Sequence, residues 1–353
     1  MTIVNLIKLD CFGCKIYNKL ICAISCNKKE IVIAKIDKDG NFIQCNRYDT
    51  NDTTNKKINP SITTDSYKNV YLAFNTNGVI GSYNTGQSDI VLMKIDSDGN
   101  VIWTKQDIEL NTIANELTPK IMADINDNLY LSYITNGTVI DSNVGGYDIV
   151  VSKLDLNGNI IWSKQNPLFN TTFDDISNVM SIDVNGNIYI AYQTKGSVPT
   201  KINYGGYDIV VFKMDTNGVL QWTKQEKLLN TKKDDITPTI TSDTNGNVYV
   251  AYSTEGTLPN NKNSGKYDIV IFKLDTDGNI VWRTQYKTDS KISSELSPSI
   301  QVDQRECIYL VYTKVEDNDC CGVLVKFCTK KCNPDYLDDC THIEYPICDN
   351  NLK

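Results

Sequence analysis

All four tryptophans of this 353-residue chain stand one repeat apart, at Trp103, Trp162, Trp222 and Trp282. The stretches leading into them read alike: DIVLMKIDSDGNVIWTKQ (89–106), DIVVSKLDLNGNIIWSKQ (148–165), DIVVFKMDTNGVLQWTKQ (208–225) and DIVIFKLDTDGNIVWRTQ (268–285). A weaker copy, EIVIAKIDKDGNFIQCNR (30–47), carries Gln44 where the others have tryptophan, and a last one begins at GVLVKF (322–327) and departs. A second block recurs upstream of the first. Its tyrosines (71, 130, 189, 249, 309) and aspartates (65, 124, 183, 243, 303) keep the same step of 59 or 60 residues. A fixed period of this kind marks a repeat architecture, in which each unit buries its apolar surface against its neighbours.

Within one unit, 238–286, TITSD is a short alternating segment and TNGN a turn whose Asn-Gly supplies positive φ. VYVAYSTEG and YDIVIFKLD follow as strands rich in β-branched and aromatic residues, and TDGN turns the chain into NIVWRTQY. No window carries an apolar stripe at helical period. The third strand, IVIF, is apolar on both sides, so both sides of the sheet need cover. Radial repetition supplies it and leaves only short edges. The expectation is an all-β fold: a six-bladed β-propeller of four-stranded antiparallel blades, one domain over 1–353. The blades fall near 1–50, 58–107, 117–166, 176–226, 236–287 and 296–353. A linear solenoid competes, but its rungs are usually shorter and do not hold four antiparallel strands.

The runs GGYDIVVFKMDTNGVLQW (205–222) and GGYDIVVSKLDLNGNIIW (145–162) resemble the SBBP-type β-propeller repeat. In that repeat a Gly-Tyr-Asp start leads through an apolar strand and an Asn-Gly turn to a tryptophan strand. The resemblance implies the fold and no shared catalytic motif.

Twelve cysteines sit at the two ends: Cys11, Cys14, Cys22, Cys26 and Cys45, then Cys307, Cys320, Cys321, Cys328, Cys332, Cys340 and Cys348. In a closed ring the first and last blades are neighbours, which would bring both groups to one seam. Disulfides are the favoured use. One bridge across a loop of about 300 residues is worth at most about 5 kcal/mol in a chain-entropy treatment. A zinc site built on Cys11 and Cys14 with Cys328 and Cys332, or buried free thiols, are the alternatives. The N-terminus, MTIVNLIKLD, alternates like a strand, so no signal peptide is expected, and cytosolic proteins rarely keep disulfides. Assembly in a virion or viral factory would resolve this; otherwise the chain is expected in the cytoplasm. With three arginines among 35 basic residues, and abundant Asn, Ile and Lys, the composition resembles that of giant viruses of amoebae, and equally that of AT-rich bacteria.

A net charge of −8 argues against nucleic acid or an anionic membrane as partner. The Asp-x-Asp/Asn-Gly turns offer too few oxygens for calcium and read as hairpin turns. The recurring lysines (35, 94, 153, 213, 273, 326) read as snorkelling side chains paired with turn aspartates. Glu116, Asp175, Asp235 and Glu295 recur just before a first strand and mark a candidate acidic channel rim, or else caps of loop backbone. His342, the one histidine, lies near Asp338 and Asp339 with no nucleophile motif. No catalytic residue, cofactor or metal site is expected. The leading expectation is a non-enzymatic scaffold that binds a protein partner. The alternatives are a metal-dependent hydrolase or lyase using the central channel, and a glycan-binding propeller.

Overall fold

The computed structural model describes residues 15–16, 19–26, 30–37, 39, 41–51, 59–80, 83–263, 265–286, 293–316, 319–328 and 343–347; at 15–26, 319, 328 and 343–347 the description is of backbone alone. Among the described residues, 24 strands form six four-stranded antiparallel sheets, each ordered as in the chain, and there is no helix. The chain divides into two compact units, 1–166 and 167–353, of three sheets each.

In the first unit the sheets comprise Lys15–Ile16, Lys19–Cys26, Glu30–Asp37 and Phe42–Asp49; Ser61–Thr64, Val70–Thr76, Asp89–Ile95 and Val101–Lys105; and Glu116–Ala123, Leu129–Thr135, Asp148–Leu154 and Ile160–Lys164. The second strands Val70–Thr76 and Leu129–Thr135 are buried along their whole length, as two-sided apolar strands must be. The core lies between sheets. Ile33 packs with Leu72 and Phe74, and Leu92 with Leu131 and Tyr133. Each such side chain contributes roughly 1.5–3 kcal/mol when fully buried.

The second unit repeats the plan with Asp175–Ile182, Ile188–Thr194, Asp208–Met214 and Leu220–Lys224; Asp235–Ser242, Val248–Thr254, Asp268–Leu274 and Ile280–Tyr286; and Ser294–Val302, Cys307–Glu316, Asp319–Cys328 and Ile343–Ile347. Tyr189 and Val211 pack with Val250, Tyr252 and Phe272, while Tyr249 and Ile271 pack with Ile300, Leu310 and Tyr312.

The turns are built as their residues dictate. Asp275 Oδ1 accepts the backbone N–H of Asp277 and Asn279, Oδ2 accepts the Asn279 amide, and Gly278 takes φ +79°. The aspartates at 65, 124, 183, 243 and 303 organise the first turns in the same manner. These oxygens are spent on the turn, which is the hairpin reading rather than the calcium one. A feature absent from the sequence reading is a bulge in the first strand. Thr118, Ser177, Thr237 and Ser297 stand at φ +50° to +59°, and the register shifts beside them.

Candidate functional site

A repeated tryptophan closes the junction between successive sheets at their turn end. In the second unit, Trp222 lies opposite Lys213, its ring centroid 6.1 Å from that of Tyr189. Its Nε1–H donates to the Thr276 carbonyl of the next sheet at 3.1 Å. Gly278 passes beneath the indole so closely that a Cβ there would sit 2.9 Å from the ring. In the first unit Trp103 lies over Gly158 likewise, 2.7 Å from where its Cβ would be.

The first sheet departs from this pattern. Gln44 occupies the tryptophan register, opposite Lys35. Its Nε2 donates to the Asp98 carbonyl at 2.7 Å, while Asn46 Nδ2 and the Tyr48 hydroxyl donate to the Gly99 carbonyl at 3.1 and 3.0 Å. A short amide replaces a bicyclic ring, and a cavity of about 650 Å³ opens beside it, within the size range of small-ligand sites. Ile33, Val70, Ile95 and Ile125 give it apolar walls. Gln44, Asn46, Tyr48, Lys35, Lys68 and the carboxylates of Asp65, Asp96, Asp124 and Asp127 supply its polar lining.

Those groups are held in place by their own contacts. Asp65 Oδ2 accepts the Tyr71 hydroxyl at 3.0 Å and the Asn69 amide at 2.7 Å. Asp127 accepts the Ser66 backbone N–H at 2.8 Å. Hydrogen bonds from the Asn100 side chain and backbone keep the Asp96 carboxyl below the ordinary carboxylate range, so it is ionised at neutral pH. Burial pushes the Tyr48 phenol up, with the Asp96 charge adding to the shift, so it stays protonated. The wall therefore carries a fixed anion and a protonated phenol bonded to the Gly99 carbonyl.

The recurring lysines stand over tyrosine rings. The Lys94, Lys153, Lys213, Lys273 and Lys326 ammonium groups lie 4.8–5.5 Å from the ring centroids of Tyr71, Tyr130, Tyr189, Tyr249 and Tyr309. Among these, Lys273 also pairs at 3.6 Å with Asp243 of its sheet's first turn, a different aspartate from Asp275, the turn residue two positions on that the sequence suggested.

Glu116, Asp175, Asp235 and Glu295 are fully buried. Glu116 accepts the Thr112 and Thr135 hydroxyls, Asp175 those of Thr171 and Asp235 those of Thr231, and Thr112, Thr171 and Thr231 also donate their backbone N–H. Glu295 accepts the Ser293 hydroxyl at 2.7 Å. Each carboxylate is turned into its own loop as a cap and presents no accessible oxygen.

Of the cysteines, Cys11, Cys14, Cys332, Cys340 and Cys348 lie outside the described residues, as does His342. Cys22, Cys26 and Cys328 lie on strands. Cys45 and Cys320 are exposed free thiols. Cys307 and Cys321 are disulfide-bonded, and no disulfide has both of its halves among the described side chains. Nor, among the described residues, does any group of three or more His, Cys, Asp or Glu side chains stand close enough to hold a metal ion.

No family model matches the chain, and no curated protein matches it. Solved structures do. A polysaccharide lyase of the PL25 ulvan lyase family aligns at TM-score 0.54 and 13% identity, over 88% of this chain and 78% of that one. The polysaccharide lyase Uly1 aligns at 0.51 and 10%, over 96% and 81%. The NanB sialidase of Streptococcus pneumoniae aligns at 0.53 and 10%, over 86% and 65%. These are propeller folds, so the all-β propeller expectation holds. They show neither the SBBP repeat family nor a viral source. The expectation of a non-enzymatic scaffold is corrected by the same finding: the three structures named, which share this fold, are all enzymes.

Proposed function

We propose that the chain is a carbohydrate-active propeller of the hydrolase or lyase class, with the cavity beside Gln44 as the site that receives a sugar. The cavity carries the reading: it opens where Gln44 stands in the tryptophan register, in a fold shared with polysaccharide lyases and a sialidase. Acid–base chemistry at a glycosidic linkage needs a base and a proton donor within reach of one bound ligand. Asp96 and Tyr48 offer a carboxylate and a phenol, the two kinds of group, on the lining of a single cavity.

The test is a polysaccharide panel incubated with the full chain. Reducing ends report either reaction, and ultraviolet absorbance of an unsaturated uronide reports elimination. Release of reducing ends that disappears in Gln44→Trp, which refills the cavity with the side chain of the sister sheets, supports the proposal. No cleavage and no binding across the panel, or activity indifferent to Gln44→Trp, overturns it.

A further inference from the structure

We infer, resting on the proposed sugar site, that the substrate is an uncharged glycan and that the bond is broken by hydrolysis rather than elimination. Charge is the first argument. Among the described residues, four carboxylates (Asp65, Asp96, Asp124, Asp127) line the cavity against the two ammonium groups of Lys35 and Lys68, with no arginine, in a chain of net charge −8. A uronate or sulfated sugar would bring a further anion into a site whose lining and whose long-range field both oppose it. Elimination depends on such a sugar, because the proton it removes is acidified by a neighbouring carboxyl group. Hydrolysis does not.

Shape is the second argument. The slot corresponds to one that holds a flat ring elsewhere in the protein, and its walls of Ile33, Val70, Ile95 and Ile125 suit the apolar C–H face of a pyranose. The hydrogen-bond inventory is the third. In the second unit the Thr276 carbonyl accepts both Lys213 Nζ at 2.9 Å and the Trp222 N–H at 3.1 Å. The corresponding carbonyl at the cavity, Ser97, accepts Lys35 Nζ at 3.4 Å, while the side chain in the tryptophan register sends its N–H to Asp98 instead. The Ser97 carbonyl is thus left without the indole donor that its counterpart has, and a sugar hydroxyl is a donor that matches it.

In the reaction a base takes a proton from water, and the water oxygen bonds to the anomeric carbon. The bond from that carbon to the bridging oxygen breaks, and an acid protonates the departing oxygen. Water is the only co-reactant.

The experiment compares neutral and uronate-containing oligosaccharides of matched length on the full chain, by calorimetric binding and by product analysis, in wild type and Gln44→Trp. Tenfold or more tighter binding of the neutral series, products bearing the elements of water, and loss of both in a folded Gln44→Trp variant are expected. Tighter binding of the uronate series, or an unsaturated product, overturns this inference and leaves the glycan-processing proposal standing. Failure of both series to bind overturns both.

Discussion

The indole N–H of Trp222 donates to the carbonyl of Thr276 at 3.1 Å, a bond that ties the fourth strand of one sheet to a turn of the next. The two residues are 54 positions apart, close to one repeat, so the bond links neighbouring repeats; the Trp103 indole of the first unit packs over Gly158 without this bond. Trp222→Phe keeps an aromatic ring over Gly278 and removes the hydrogen bond, at an expected cost of about 1 kcal/mol. Trp222→Ala also empties the space between the sheets, at roughly 3 kcal/mol. Urea unfolding of the full chain measures both. Equal costs would show that the hydrogen bond, and not the ring, holds the junction.

Lys273 carries more than its repeat partners do. Its ammonium lies 3.6 Å from Asp243, 3.8 Å from Glu306 and 4.9 Å above the Tyr249 ring, and the residue is 8% exposed. Lys213 sits over Tyr189 and donates to the Thr276 carbonyl. Removing one member of a buried ion pair leaves the other charge uncompensated, at roughly 3–5 kcal/mol. Lys273→Met is therefore expected to destabilise the protein clearly more than Lys213→Met in denaturant unfolding, and comparable losses would assign the whole effect to the tyrosine ring.

Much of this framework is legible in the sequence. The tryptophan and tyrosine step gives the repeat, the Asn-Gly and Asp-Gly turns give the hairpins, and the two-sided apolar run at Ile269–Phe272 gives a strand covered on both faces. The bulge is not read, because Thr237 and Ser297 sit in segments that alternate like plain strands; the Ser/Thr-Pro pairs at 118–119, 237–238 and 297–298 are the signal that was there to find. Glu116 and Asp235 recur as an exposed ring would. Only the loop's return onto them, with Thr112 and Thr231 donating, shows them to be caps. Gln44 is visible as a departure from the repeat, but that it opens a cavity depends on Gly99 and Asp98 of the next sheet keeping their places.

Tyr48→Phe separates chemistry from architecture at the cavity. The phenol donates to the Gly99 carbonyl and also bonds the Asn46 side chain, so its removal is expected to cost about 1–2 kcal/mol of stability. As the proton donor its loss should lower kcat on the glycan substrate by about 10²-fold or more with little change in KM. A kcat within twofold of wild type removes Tyr48 from the chemistry.

Asp208 and Asp235 make stability depend on pH in a direction opposite to that of salt-bridged carboxylates. Burial raises Asp208 to about 6, against hydrogen bonds from the Tyr204 backbone and the Gln225 amide. Burial raises Asp235 to about 7, against the Thr254 and Thr231 hydrogen bonds, and the charge of Asp208 raises it further. The folded state thus holds protons that the unfolded chain releases near pH ~4. The stability these groups contribute is full below that value and is lost as pH rises through about 6 and 7. Stability is expected to fall between pH 5 and pH 8 by an amount on the order of a few kcal/mol from these two groups. Oδ1 of Asp208 is buried without a hydrogen-bond partner, so Asp208→Asn removes a charge without breaking a bond at that atom. The variant is expected to flatten the decline and to be more stable than wild type at pH 8. Chemical denaturation at a series of pH values reads this directly, and a wild-type slope retained in Asp208→Asn would place the titration elsewhere.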